Sequence, residues 1–332
     1  MSTYISLTPA AEKEDNLDQD FAAIAACPIC HLPLAIHSSD ELVCPTCHSS
    51  YRRVKGIWRF LTLEQQLQHS PFIGAYGVLR YCEGWERTDN DYYLGLPNVP
   101  ANDPKAAIWK IRQQSFKALI SRLPLGSRRW SIDLGAGNCW LSHHLTLRGY
   151  RTLAFDIRVA SRDALEGGNI YQGDSSLPFI RGQASADALP ISDEQIDLCV
   201  INDTFHYLDI LQTLKGVYRI LRPGGMVIIM DSPIYHSDRD GRKMIEQQRL
   251  YLQERYRINN APVEGKGYLV LAETLKVFQD TGFHTEVHWL ERPAKWWRRL
   301  RFRPKAPSIQ LELVRFPLIV ATKPVSQTVS NA

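Results

Sequence analysis

The chain has 332 residues, 44% hydrophobic and 22% charged, with a formal net charge of +4. That is enough for one large core plus a small module, and too little charge to imply nucleic-acid binding by itself. No apolar run reaches the length of a membrane-spanning helix, and the first residues lack the basic-then-apolar order of a secretory signal, so a cytoplasmic location is expected. Of the seven cysteines, four fall in a metal-like pattern, while Cys82, Cys139 and Cys199 read as reduced thiols rather than a disulfide framework.

Residues 1–20 carry Glu12, Glu14, Asp15, Asp18 and Asp20 with few large apolar groups, which predicts a loose tail. Residues 21–62 hold Cys27-Pro-Ile-Cys30, thirteen intervening residues, and Cys44-Pro-Thr-Cys47. Paired C-x-x-C knuckles place four thiolates around one Zn2+ ion, against the competing reading of redox cysteines. Four protein ligands leave no open coordination position, so the zinc is expected to be structural. The surrounding text, Leu42-Val43-Cys44 through Tyr51 and then Lys55-Gly56-Ile57-Trp58, resembles the zinc ribbon of the Trm-type methyltransferase-activator proteins. It is also similar to the N-terminal zinc module of bacterial ribosomal RNA guanine methyltransferases, which makes His48 a rival to Cys47 as fourth ligand. Cys47 completes the second knuckle symmetrically and is the expected one.

Residues 63–107 are rich in Tyr, Gly, Pro and Trp and read as irregular, either a linker packing its aromatics on both neighbours or a cover for an active site. From Ile108 the residues Ile111, Phe116, Leu119, Ile120 and Leu123 follow helical spacing up to Pro124.

The run Trp130-Ser-Ile-Asp133-Leu stops abruptly in Gly135-Ala136-Gly137-Asn138-Cys139 and restarts as a helix. Such a turn lets a ligand approach the backbone, and the helix opening near Asn138 is expected to present free N–H groups. The dinucleotide fingerprint would need a glycine at 140, where this chain has Trp140, which argues against NAD or FAD. After a helix closed by Gly149, the strand Arg151–Asp156 ends in a carboxylate that can accept both hydroxyls of a ribose.

Asp133-Leu-Gly135-Ala136-Gly137 resembles motif I of the class I S-adenosylmethionine (SAM)-dependent methyltransferases, with Cys139 in the place of the third glycine. The resemblance implies that Asp133, Gly135, Ala136, Gly137, Asp156 and Asn202 bind SAM. In that family an acidic residue four before Leu189 meets the adenine. Here Ser185 stands there and Asp187 is two residues late, so a serine hydroxyl with the Ala186 N–H is the expected reader of the adenine edge.

Asn202-Asp-Thr-Phe-His206-Tyr207 closes the fourth strand, whose carboxyl end faces the ligand crevice of an open parallel sheet. Asn202, His206 and Tyr207 are therefore candidates for the acceptor site, with His206 read either as a general base or as a histidine packed on the next helix. Leu221-Arg-Pro-Gly-Gly225, a turn frequent in the same family, precedes the apolar strand Met226–Met230. A charged helix over 237–257 sits in an insert at about 235–268, then come a helix over 271–279 and strands over 283–290 and 316–322. Between those strands a basic hairpin at about 291–308 carries seven cations with Trp296, Trp297 and Phe302 over 292–305, suited to an anionic membrane surface or RNA, or simply solvated. Residues 326–332 read as a second tail.

The expected fold is α/β, a doubly wound, Rossmann-like, seven-stranded methyltransferase sheet over 108–325 with the final strand antiparallel, preceded by a small zinc ribbon. The sheet domain resembles the ubiquinone-type methylases, which implies SAM as cofactor and a small-molecule or lipid-like acceptor. RNA methylation through the ribbon and a non-catalytic scaffold are the alternatives, and retention of Gly135, Gly137 and Asp156 speaks against the scaffold.

Overall fold

The computed structural model describes residues 16–173, 178–258, 265–290 and 314–325. The first half contains α1 (Leu17–Ile24), β1 (Ala35–Ser38), β2 (Glu41–Val43), β3 (Ser50–Val54), β4 (Ile57–Arg59), α2 (Leu63–Cys82), α3 (Asn90–Gly95), α4 (Ala106–Arg122), β5 (Trp130–Leu134), α5 (Trp140–Leu147), β6 (Arg151–Asp156) and β7 (Ile180–Gln183). The second half contains β8 (Ile196–Asn202), α6 (Ile210–Ile220), β9 (Leu221–Met230), β10 (Ile234–Tyr235), α7 (Asp238–Tyr256), β11 (Leu269–Val270), α8 (Leu271–Asp280), β12 (His284–His288) and β13 (Leu318–Thr322).

Seven strands in the order β7-β6-β5-β8-β9-β13-β12 form the expected doubly wound sheet, with β13 antiparallel to both neighbours. β5, β6, β8 and β9 are parallel and nearly continuous in apolar residues, because helices cover both faces. Strand order reverses between β5 and β8, the switch point where ligands bind in such sheets.

The sheet does not stop at β7. β4 pairs in parallel with β7 and carries β3, β2 and β1 outward, so eleven strands run together. Trp58 and Phe60 share one core with Phe155, Ala184, Ala186 and Ile191. The four-cysteine ribbon is thus built onto the sheet edge rather than set apart from it.

Two readings of composition are corrected. Residues 17–20, expected in a loose tail, open α1, where Asn16 caps the helix and Asp18 and Asp20 pair with Arg53 and Arg151. Part of 63–107, expected to be irregular, is the 20-residue α2, started by a reciprocal Thr62–Gln65 capping box with bonds of 3.2 and 3.1 Å. Residues 1–15, the segment 292–305 and the tail 326–332 lie outside the described residues. Among the described residues no helix is long and apolar enough to cross a membrane.

Candidate active site and cysteine cluster

The carboxyl ends of β5, β6 and β8 open into a cavity of about 460 Å3. Asp133, Gly135, Ala136, Gly137, Asp156, Ser185, Ala186, Asn202 and Tyr207 all line it, so most residues singled out from the sequence come together.

The glycine turn is tightly specified. Gly135 has φ +80°, and a Cβ there would lie 2.3 Å from Thr204 Oγ1. Cys139, in the third-glycine place, takes φ +66° as the N-cap of α5, the left-handed conformation for which glycine is favoured. Several amides of the turn are engaged within the chain. Gly135 and Ala136 donate to Phe155 O at 2.7 and 3.0 Å, Gly137 donates to Asp156 Oδ2 at 2.8 Å, and Trp140 donates to Asn138 Oδ1 at 3.2 Å. The first three amides of the turn are therefore taken up by Phe155 and Asp156.

Asp156 receives a second amide, Arg158 N–H, on Oδ1 at 2.7 Å. Both oxygens keep a further lone pair, so the carboxylate is oriented and still able to accept. Burial raises its pKa, against the pull of Arg158 and the two amides. Asp133, 1% exposed, accepts from Ser142 Oγ at 2.7 Å, and burial pushes its pKa up to about 7. Asn202 is buried, and its Oδ1 has no hydrogen-bond partner among the described residues. An orphaned acceptor in a cavity wall is costly unless a ligand donates to it.

Ser185 Oγ lies 3.0 Å from His69 Nε2, which α2 contributes. Sequence reasoning missed α2 altogether, yet Gln68, His69, Phe72, Tyr76 and Arg80, roughly four apart on one face, line the cavity. Phe72 and Tyr76 stack at 5.3 Å and both approach Tyr207, at 5.9 and 5.7 Å between ring centres. Arg80 holds α2 in place by a bidentate pair with buried Asp163, at 2.7 and 2.9 Å, while its guanidinium lies 4.0 Å from the Trp85 ring centre. Arg112 on α4 pairs with Asp203 and lies beside the Trp85 and Trp109 rings. The capping box at Thr62–Gln65 was the readable signal for α2.

His206 is not brought to this wall. It is buried beside Ser232, with Nδ1 3.2 Å from Ser232 Oγ, and burial lowers its pKa to about 4. Its hydrogen-bond partner is Ser232, on the segment after β9, rather than the next helix α6 against which one of its two sequence readings packs it. Burial raises the Tyr207 pKa well above its ordinary value, so that phenol keeps its proton.

In the ribbon, the sulfurs of Cys27, Cys30, Cys44 and Cys47 lie within 4.8 Å of one another, with three separations of 3.4, 3.5 and 3.9 Å. A tetrahedron of sulfurs at the usual zinc–thiolate length has edges of about 3.8 Å, so the donor set fits a closed zinc site. The knuckles are equivalent. His31 and His48 follow them with φ +60° and +59°, and their amides return to Cys27 O and Cys44 O at 2.8 and 3.0 Å. His48 thus turns the chain, and Cys47 is the cysteine in the cluster. Tyr51 Oη lies 3.2 Å from Cys27 Sγ as an outer partner.

Residues 132–229 match the family described as "Methyltransferase domain". The chain is 29% identical over 135 residues to an uncharacterized methyltransferase of Mycobacterium tuberculosis, covering 40% of this chain and 46% of that protein. It is 29% identical over 121 residues to a malonyl-[acyl-carrier protein] O-methyltransferase of Enterobacter lignolyticus, covering 36% and 45%. The chain thus spans less than half the length of these curated relatives. In fold it is similar to a geranyl diphosphate C-methyltransferase from Streptomyces coelicolor solved with S-adenosyl-L-homocysteine, with TM-score 0.54 and 13% identity over 76% of this chain and 98% of that one. The doubly wound sheet, its glycine turn and the family match agree in one place: residues 132–229 are similar to a methyltransferase domain.

Proposed function

We propose that the protein transfers a methyl group from SAM to a small-molecule or lipid-like acceptor, and that Cys27, Cys30, Cys44 and Cys47 hold one structural Zn2+. The single observation that supports SAM most is Asn202 Oδ1, buried and without a hydrogen-bond partner among the described residues, in a cavity that also presents Asp156. Asp156 would hold the ribose hydroxyls, Ser185 and the Ala186 backbone the adenine edge, and Asp133 and Asn202 the polar end of the cofactor. When bound, SAM supplies an electrophilic methyl group on a sulfonium. The chain's own task is to hold the acceptor in line, exclude water and keep stray protons away.

What supports the acceptor class is the aromatic part of the cavity wall. Phe72, Tyr76 and Tyr207 form an aromatic surface, and the nearby cations Arg80 and Arg112 are already paired with Asp163 and Asp203. Such a surface suits a compact, largely apolar acceptor. Tyr207 Oη, holding its proton, would donate to it rather than act as a base. The RNA alternative drew on the ribbon and on 292–305; the latter lies outside the described residues, and no feature of the described cavity favours RNA.

The test is to incubate the protein with methyl-tritiated SAM and cell extract, then partition the label among small-molecule, lipid and RNA fractions. Label in the first two supports this reading, and label confined to RNA contradicts it.

A further inference from the structure

The loop that carries Ser185, Ala186 and Asp187 into the cavity is gripped at both ends by the two chain segments that flank the four cysteines. At its upstream end, Phe60 N–H donates to Gln183 O at 2.9 Å and Arg59 donates to Gln183 Oε1 at 3.3 Å. Gln183 then donates from Nε2 to Ile157 O at 3.0 Å, and Ala184 N–H donates to Asp156 O at 3.1 Å. At its downstream end, Ala26 N–H donates to Pro190 O at 3.1 Å and Ser192 N–H to Ile24 O at 2.8 Å, bridging Ala25 to Ile191. Ala26 directly precedes Cys27, while β4 follows the second knuckle through β3.

The contacts leave little slack. Phe60 meets Phe155 edge-on at 6.4 Å, and a Cβ on Gly182 would come within 2.6 Å of Phe155. α2 starts directly after β4, and through His69 it reaches Ser185 itself. All four residues of β1 are exposed, while Leu42, Tyr51, Trp58 and Phe60 are buried in the core shared with the sheet. The four sulfurs are where the two knuckles of the ribbon meet, between the segments that make the two grips.

On this basis, and resting on the SAM reading above, we infer that the ribbon is a positioning element of the cofactor cavity, so that metal occupancy at the four cysteines and cofactor affinity are linked. Residues 24–26 and 57–60 are the positioning residues, and the linkage is reciprocal: bound cofactor tightens zinc by the same factor that zinc tightens cofactor.

The test uses the full chain loaded with zinc and S-adenosylhomocysteine as probe. Calorimetry before and after removal of zinc by a chelator, with circular dichroism alongside, is expected to show affinity falling at least about tenfold while the helix and sheet signal persists. Equal affinity in zinc-free, folded protein overturns the inference. Failure of the zinc-loaded protein to bind the probe at all would instead remove the SAM reading. Should zinc removal unfold the chain, Ala26→Pro decides. Ala25 already has φ −70° and ψ 137°, the extended conformation that a following proline requires, and the substitution removes the N–H to Pro190 O. At one zinc per chain this variant is expected to bind the probe several-fold more weakly, and wild-type affinity overturns the inference.

Discussion

Gly137 N–H donates to Asp156 Oδ2 at 2.8 Å, so the glycine turn after β5 and the carboxylate ending β6 orient each other. Two amides fix this carboxylate before any ligand arrives, which lowers the ordering cost of accepting hydroxyls. Asp156→Ala removes both the acceptor and the tie to the turn. Loss of a charged hydrogen-bond partner costs about 1.5–3 kcal/mol, and SAM affinity is expected to fall accordingly in calorimetry on folded variant. Unchanged affinity contradicts the assignment.

Asp133 gives a pH signature. Its folded pKa of about 7 lies above the ordinary aspartate value because the fold buries it. The fold therefore prefers the protonated acid, and stability is lost as pH rises from the ordinary aspartate range through about 7. Asp133→Asn is expected to flatten this fall, so that thermal unfolding at pH 8 gains on wild type relative to pH 5. A wild-type pH dependence in the variant counts against it.

His206 has the opposite sign. With a folded pKa near 4, the buried imidazole is neutral, and its contribution is present above the ordinary histidine value and lost as pH falls from there toward 4. His206→Gln keeps a hydrogen-bonding group beside Ser232 without a titrating one. Methyl transfer at neutral pH is expected to stay within about threefold of wild type, whereas removing a general base costs about a hundredfold or more. A loss on that larger scale with intact fold would restore His206 as the base.

Arg80 and Asp163 latch α2 over the cavity with side chains 14% and 4% exposed. Arg80→Met leaves Asp163 with its weaker Arg158 contact at 3.6 Å. Breaking one side of a buried pair costs about 3–5 kcal/mol. Denaturant unfolding is expected to show destabilisation of that order, together with weaker SAM binding. A change below about 1 kcal/mol would mean the pair behaves like an exposed one.

The legible parts of the chain were those where one residue type alone meets a backbone or ligand demand. Gly135 and Gly137 mark positive φ, Asp156 a strand-end carboxylate, and the two C-x-x-C knuckles a four-sulfur cluster. α2 was hidden because its apolar residues do not segregate to one face. Leu63, Leu67 and Val78 are exposed, whereas the polar His69 is buried, and Pro71, Gly74 and Gly77 interrupt it. The union of ribbon and sheet was hidden because pairing between β4 and β7 joins residues more than a hundred positions apart, where no local spacing reports contact. His206 was ambiguous because the side-chain direction after a strand end depends on the segment packed above it, here Gly267, whose N–H donates to His206 O at 2.9 Å.

The most direct measurement is a calorimetric titration of SAM, and separately of NAD, into the full zinc-loaded protein. The account predicts one saturable SAM site per chain with micromolar affinity and no NAD binding, because Trp140 occupies the place of the dinucleotide glycine. Saturable NAD binding, or no saturable SAM site in folded protein, would contradict it.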